Sequence, residues 1–264
     1  EVTYREMSEK CMRILEGLEN QTKNINDFIE QAEEEECADS LNILGIIYRT
    51  GRFNVPVDKE KSREYFKRAA KLGHAKAMNS LGVHYEIHEK NYEKASLLYI
   101  VSAKKGSAEA YINIGRCFLY GLGIEKNERL AYSIFKHVEP QCDETKYWLG
   151  LMYANGFGVR KDVDMAIKYL IPLTKQDHTQ SFGVLAQCYQ DKNDINQAFK
   201  YLAKGDELGC LLATHKLGLF YQRNGKTAAK GFQLIKKAVD RGFDNALIDY
   251  GRCYETGNGV KQDL

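Results

Sequence analysis

Seven times in this chain a small residue stands one place after an apolar or aromatic residue and three places before an aromatic one. The small residues are Gly45, Gly82, Gly115, Gly150, Ala186, Gly218 and Gly251, spaced 32 to 37 residues apart. Their partners are Leu44 and Tyr48, Leu81 and Tyr85, Ile114 and Phe118, Leu149 and Tyr153, Leu185 and Tyr189, Leu217 and Tyr221, and Tyr250 and Tyr254. Those offsets put both partners on one helical face with the small residue between them, where a neighbouring helix can come close. Glycine inside a helix costs about 1 kcal/mol, so its recurrence at one position implies a packing reason. A period of this length marks a stack of supersecondary units, none of which buries its apolar face alone.

Each unit carries a second helix with a marked start. Asp58, Asn91, Asn127, Asp162, Asp194 and Thr227 are capping residue types. Four places on lie Ser62, Ala95, Ala131, Ala166, Ala198 and Gly231, and three further lie Tyr65, Leu98, Ile134, Tyr169, Tyr201 and Leu234. After another four come Ala69, Ser102, Val138, Leu173, Gly205 and Ala238, and Gly73, Gly106, Gly209 and Gly242 end four of the six helices. The expected fold is all-α, built of helix-turn-helix repeats. Residues 1–36 form a helical lead-in, with an apolar rhythm at Met7, Cys11, Ile14, Leu15 and Leu18. Within it Phe28 and Ala32 sit like a degenerate half-repeat, and Glu33 to Glu36 make a solvated acidic turn.

The turns Gly121-Leu122-Gly123-Ile124, Gly156-Phe157-Gly158-Val159 and Gly257-Asn258-Gly259-Val260 complete the pattern. With them, the chain from about residue 37 to 264 resembles the Sel-1-like repeat family, a branch of tetratricopeptide-like solenoids. The resemblance implies a right-handed α-α superhelix of about six and a half repeats, the last of them partial. It also implies a non-catalytic scaffold or adaptor that binds a protein or peptide on its concave face. The turns at His88 to Asn91, Asp191 to Asp194 and Asn224 to Thr227 are shorter than the family form.

Composition narrows the alternatives. Thirty-eight Lys and Arg stand against thirty-six Asp and Glu, with no long basic run, so nucleic acid is not an expected partner. No window has the apolar length of a membrane span. Residue 1 is Glu, so the sequence is expected to be part of a longer chain that carries further domains and any targeting signal. Of the seven cysteines, Cys117, Cys188 and Cys253 share one column with Ile47, His84, Met152 and Phe220. That column reads as core, so the cysteines are expected to be reduced and structural, in a cytoplasmic setting.

Candidate chemistry resolves into packing in the same way. His84 and His88 lie four apart without a third ligand in pattern, so no metal is expected, and no cofactor fingerprint occurs. Ser102 and Lys105 have a Ser-x-x-Lys spacing, but Ser102 fills a small-residue column. Asn20-Gln21-Thr22 matches a glycosylation acceptor at the level of chance. No catalytic residue is expected.

The family's concave face directs attention to first-helix positions that the core leaves free. Three such columns contain Asn79, Ile112, Arg116, Leu119, Tyr147, Leu151, Gln187, Gln190, His215, Leu219 and Arg252. Ile112, Leu119, Tyr147 and Leu151 form the expected exposed apolar strip, edged by Arg116 and Asn79. Two further readings are open. One is a secreted bacterial binder or enzyme linked to glycans or the cell wall, and the other is a regulatory module of a larger enzyme.

Overall fold

The structure, a computed structural model, describes residues 16–20, 24–139, 142, 144–223 and 225–263. Met7, Cys11, Ile14 and Leu15 of the lead-in, and Gln21 and Thr22 of the glycosylation match, lie outside those residues. Among the described residues there is no strand, and the all-α repeat class is what the chain forms. It folds as two compact units, residues 1–141 and 142–264.

In the first unit, α1 (Ile25–Glu35) buries Phe28 and Ala32 against α2 (Ala38–Thr50). Then follow α3 (Lys59–Lys71), α4 (Ala75–His84), a single π-helical turn (Tyr85–Glu89), α5 (Tyr92–Lys104), α6 (Ala108–Tyr120) and α7 (Glu128–Val138). The second unit contains α8 (Glu144–Asn155), α9 (Val163–Thr174), α10 (Thr179–Asp191), α11 (Ile195–Glu207), α12 (Leu211–Gln222), α13 (Ala228–Asp240) and α14 (Leu247–Thr256). Even-numbered helices from α2 onward are the first helices of repeats, and each through α12 packs on the helix that follows it.

The central glycines work as the repeat pattern requires, through a further column of large side chains on the second helices. Eight residues after each cap stand Phe66, Tyr99, Phe135, Leu170, Leu202 and Ile235, all buried. Phe66, Tyr99, Phe135, Leu170 and Ile235 rest on Gly45, Gly82, Gly115, Gly150 and Gly218, and a Cβ on any of these glycines would lie 2.5 to 2.7 Å from them. The column one residue earlier does something else. Tyr65, Tyr169 and Tyr201 stack on Tyr48, Tyr153 and Tyr189, with ring centroids 5.4 to 5.8 Å apart. Five repeats thus close by seating a side chain on a glycine, and three of the six lay the preceding tyrosine against an aromatic ring.

The turns are tied to the same aromatics. The backbone N–H groups of Asp58, Asn91, Asn127, Asp162 and Asp194 donate to the carbonyls of Tyr48, Tyr85, Phe118, Tyr153 and Tyr189 at 2.8 to 3.0 Å. The five side chains then accept from the third amide of the helix they open. Thr227 departs from this role: it makes no side-chain cap, and its hydroxyl donates to the Tyr221 carbonyl at 2.6 Å.

Candidate functional site

The cysteine column behaves as core. Cys117, Cys188 and Cys253 are buried and unpaired, and burial pushes the Cys117 and Cys188 thiols up to about 11. Ser102 is buried and donates to the Ala75 carbonyl at 2.6 Å, so its hydroxyl bridges two helices. His84 lies in the same core column, with its ring 4.8 Å from that of His88. Burial and that neighbour hold it below the usual imidazole value. Among the described residues there is no cluster of three metal-ligating side chains, and no helix is long and apolar enough to cross a membrane.

The expected apolar strip is altered by packing. Ile112 and Leu119 are 3% and 1% exposed, so neither presents a free surface. In the columns three before and four after the glycine, Asn42, His215 and Ala154 are buried as well, whereas Arg49, Ile248 and Glu255 are exposed. An apolar side chain there leaves water for about 25 cal/mol per Å², which outweighs keeping it available. In the second unit, Tyr147 and Leu151 are half-buried against the cluster around Leu170 and Leu185, and Tyr147 lies 5.1 Å from the His178 ring.

The polar candidates are joined into three networks, one in the first unit and two in the second. In the first unit, Asn113 donates to Asn79 at 2.9 Å, and Arg116 donates to Asn113 while pairing with Glu86. Glu86 also accepts from the Tyr99 hydroxyl at 2.7 Å, so Arg116 is fixed by residues rooted in the core. In the second unit, Gln187 donates to Asp191 at 2.9 Å and accepts from Lys216, whose ammonium burial holds below the usual lysine value. His215 is buried, its Nε2 3.0 Å from Asp249, and exposed Arg252 pairs with the same carboxylate. Gln190 is half-buried, and Leu219 packs on the cluster around Phe232 and Ile235.

The large apolar side chains that the first unit does expose on this face lie one column further along. Ile87 and Tyr120 each stand five residues after a central glycine and are 54% and 50% exposed. Elsewhere the same column holds Thr50, Asn155, Asp191, Arg223 and Thr256, all polar. That contrast is legible in the sequence alone. The π-helical turn that carries Ile87 is not, because its i+5 bond, from Lys90 to the Tyr85 carbonyl, has no simple residue signature.

Known proteins resemble this chain in its repeats and its fold. Residues 38–74, 75–107, 108–136, 144–178, 185–210 and 244–264 match the Sel1 repeat model. The chain is 39% identical over 80 residues to the ERAD-associated E3 ubiquitin-protein ligase component HRD3 of Candida glabrata, covering 30% of this chain and 10% of that protein. It is 23% identical over 171 residues to chitin synthase regulatory factor 3 of Schizosaccharomyces pombe, covering 62% of this chain and 15% of that one. The matched region is therefore a small part of both curated relatives. Among solved structures, a Sel1 repeat protein from Oxalobacter formigenes aligns with a TM-score of 0.69 at 22% identity, over 88% of this chain and 97% of that one. The protective antigen c5321 of uropathogenic Escherichia coli, described as displaying an SLR fold, aligns with a TM-score of 0.64 at 23% identity, over 88% of this chain and 52% of that one. At such identities the likeness is one of fold. Residues 211–243 fall between matched segments, yet α12 and α13 pack as the other pairs do, with Ile235 on Gly218. With six matched repeats over more than half of its length, this chain belongs to the Sel1 repeat family.

Proposed function

We propose that this chain is a non-catalytic adaptor that holds a partner polypeptide against first-helix faces of its repeats. The observation that carries the reading is the exposure of Ile87 and Tyr120 in a column that is polar in every other repeat. An exposed apolar pair edged by a fixed guanidinium, here Arg116, is the kind of anchor that recognition surfaces use. In the second unit, half-buried Tyr147 and Leu151 are the corresponding apolar candidates. A supporting role accords with the names of the curated relatives, one a ligase component and the other a regulatory factor.

The test is affinity capture of a partner with the 264-residue chain, followed by a binding titration with the purified partner. Ile87→Asp with Tyr120→Asp is expected to weaken that titration more than tenfold, with the circular dichroism unchanged and the melting temperature lowered by no more than a few degrees. Undiminished affinity in this variant, and in Tyr147→Ala and Leu151→Asp, overturns the reading.

A further inference from the structure

We propose that the outer face of α13 is a second docking surface, one that takes an acidic polypeptide segment. From Lys216 to Arg241 the chain carries seven cations, Lys216, Arg223, Lys226, Lys230, Lys236, Lys237 and Arg241, and one anion, Asp240. Periodicity sorts them. Lys226, Lys230, Gln233, Lys237 and Arg241 follow one another at intervals of four, three, four and four, so they form a single stripe along the helix and its two ends. All five are exposed. At 1.5 Å per residue the stripe is about 20 Å long.

The same positions on the other second helices are less basic. On α3 they read Val57, Lys61, Glu64, Arg68 and Leu72, and on α11 Asn193, Gln197, Lys200, Lys204 and Leu208. Charge on α3 is also neutralised locally. Arg63 pairs with Glu60 and Glu89, Lys67 with Glu64, and Arg68 with Glu36. On α13, Lys237 pairs with Asp206 at 2.6 Å, and among the described residues Lys230, Lys236 and Arg241 form no ion pair. Lys230 is positioned instead by an aromatic ring: its Nζ stands 4.3 Å over Tyr221 and donates to that hydroxyl at 3.0 Å. The Arg241 guanidinium rests beside Gly209 at the end of α11.

The geometry favours a polypeptide over other polyanions. The stripe is one side chain wide, with a glutamine at its centre, and no exposed aromatic in it offers a surface for a nucleic-acid base. Nor does it contain an apolar side chain to enter a lipid headgroup layer. A helix bearing carboxylates four, seven and four residues apart meets Lys226, Lys230, Lys237 and Arg241 in turn, and that spacing is the same read in either direction.

The probe is a fluorescein-labelled, alanine-rich helical peptide with glutamates at that spacing, titrated by anisotropy against the 264-residue chain at about 50 mM salt, where screening is weak. Lys230→Gln with Lys237→Gln and Arg241→Gln is expected to weaken binding about eightfold or more, since each exposed pair contributes about a two- to fivefold factor. Lys59→Gln with Lys67→Gln and Lys71→Gln on α3 is expected to stay within about twofold, because these lysines lie outside the stripe and their charge acts on the peptide only through screened solvent. Circular dichroism of both variants guards against misfolding, and Lys230→Gln alone, away from Asp206, provides a milder check. Equal losses in the two triple variants, no binding, or tighter binding of phosphatidylserine-containing vesicles or duplex DNA overturns the proposal. Ile87 and Tyr120 are untouched, so this outcome is separate from that of the partner titration.

Discussion

A methyl group on Gly115 would lie 2.5 Å from the Phe135 ring, closer than van der Waals contact permits. The glycine is therefore the seat of the second helix in its repeat, and the same relation recurs between Gly45 and Phe66 and between Gly82 and Tyr99.

Adding that methyl group is the first prediction. Gly115→Ala is expected to destabilise the first unit by about 1 to 3 kcal/mol, because overpacking outweighs the gain in helix propensity. Gly251→Ala is expected to stabilise by up to about 1 kcal/mol, since that glycine is helical and has nothing within 4 Å of its would-be Cβ. Denaturant titration of both variants checks the opposite signs, and a loss at Gly251 would contradict the column argument.

Removing the ring itself tests the same contact from the other side. Phe135→Ala is expected to cost about 3 to 5 kcal/mol through lost burial and the cavity left behind. Tyr120→Ala, at a half-exposed ring, is expected to cost well under half of that, about 1 kcal/mol or less. Comparable costs would mean that Tyr120 supports the fold and is poorly suited as an anchor.

Asp206 should lend the second unit an acid-sensitive increment of stability. Burial alone would raise its carboxyl, but hydrogen bonds from Lys237 and Thr214 outweigh burial and hold it below the ordinary 3.8. A carboxyl depressed in the folded state stabilises fully above the unfolded value, and the contribution fades as pH falls through the folded one. Asp206→Asn is therefore expected to lower stability at pH 7 and to match the parent near pH 2, as read by urea unfolding at both values. A gap that persists in acid would show that the ion pair is not its source.

Thiol chemistry should separate the cysteines by burial. Cys37 and Cys142 are half-buried and are expected to react with a disulfide reagent in the native state. Cys117, Cys188, Cys210 and Cys253 are buried, and for Cys117 and Cys188 the raised thiol leaves little thiolate at pH 8. These four are expected to react only as the chain unfolds, at rates that follow denaturant. Rapid labelling of Cys188 in the folded chain would contradict its place in the core.

Much of this protein is written in local spacing, which survives without knowledge of the fold. Leu149, Gly150 and Tyr153, the capping Asp162 and the turn Gly156 to Val159 specify helix, turn and helix because each acts over a few residues, through backbone conformation or one helical face. Repetition of that unit then fixes the class of stack, since no single pair can bury its own face. The sequence could not say which residues of a column stay in water, because this depends on how closely neighbouring helices approach. Ile112 and Leu119 read as free and are buried, whereas Ile87 and Tyr120 are exposed one column on, Ile87 from a π-helical turn whose register no local pattern announces. Arg116 read as a rim charge, and tertiary structure bound it to Glu86, thirty residues away in sequence, and through it to Tyr99. Long-range pairing of this kind requires both backbones to be in place, so only the folded chain decides it.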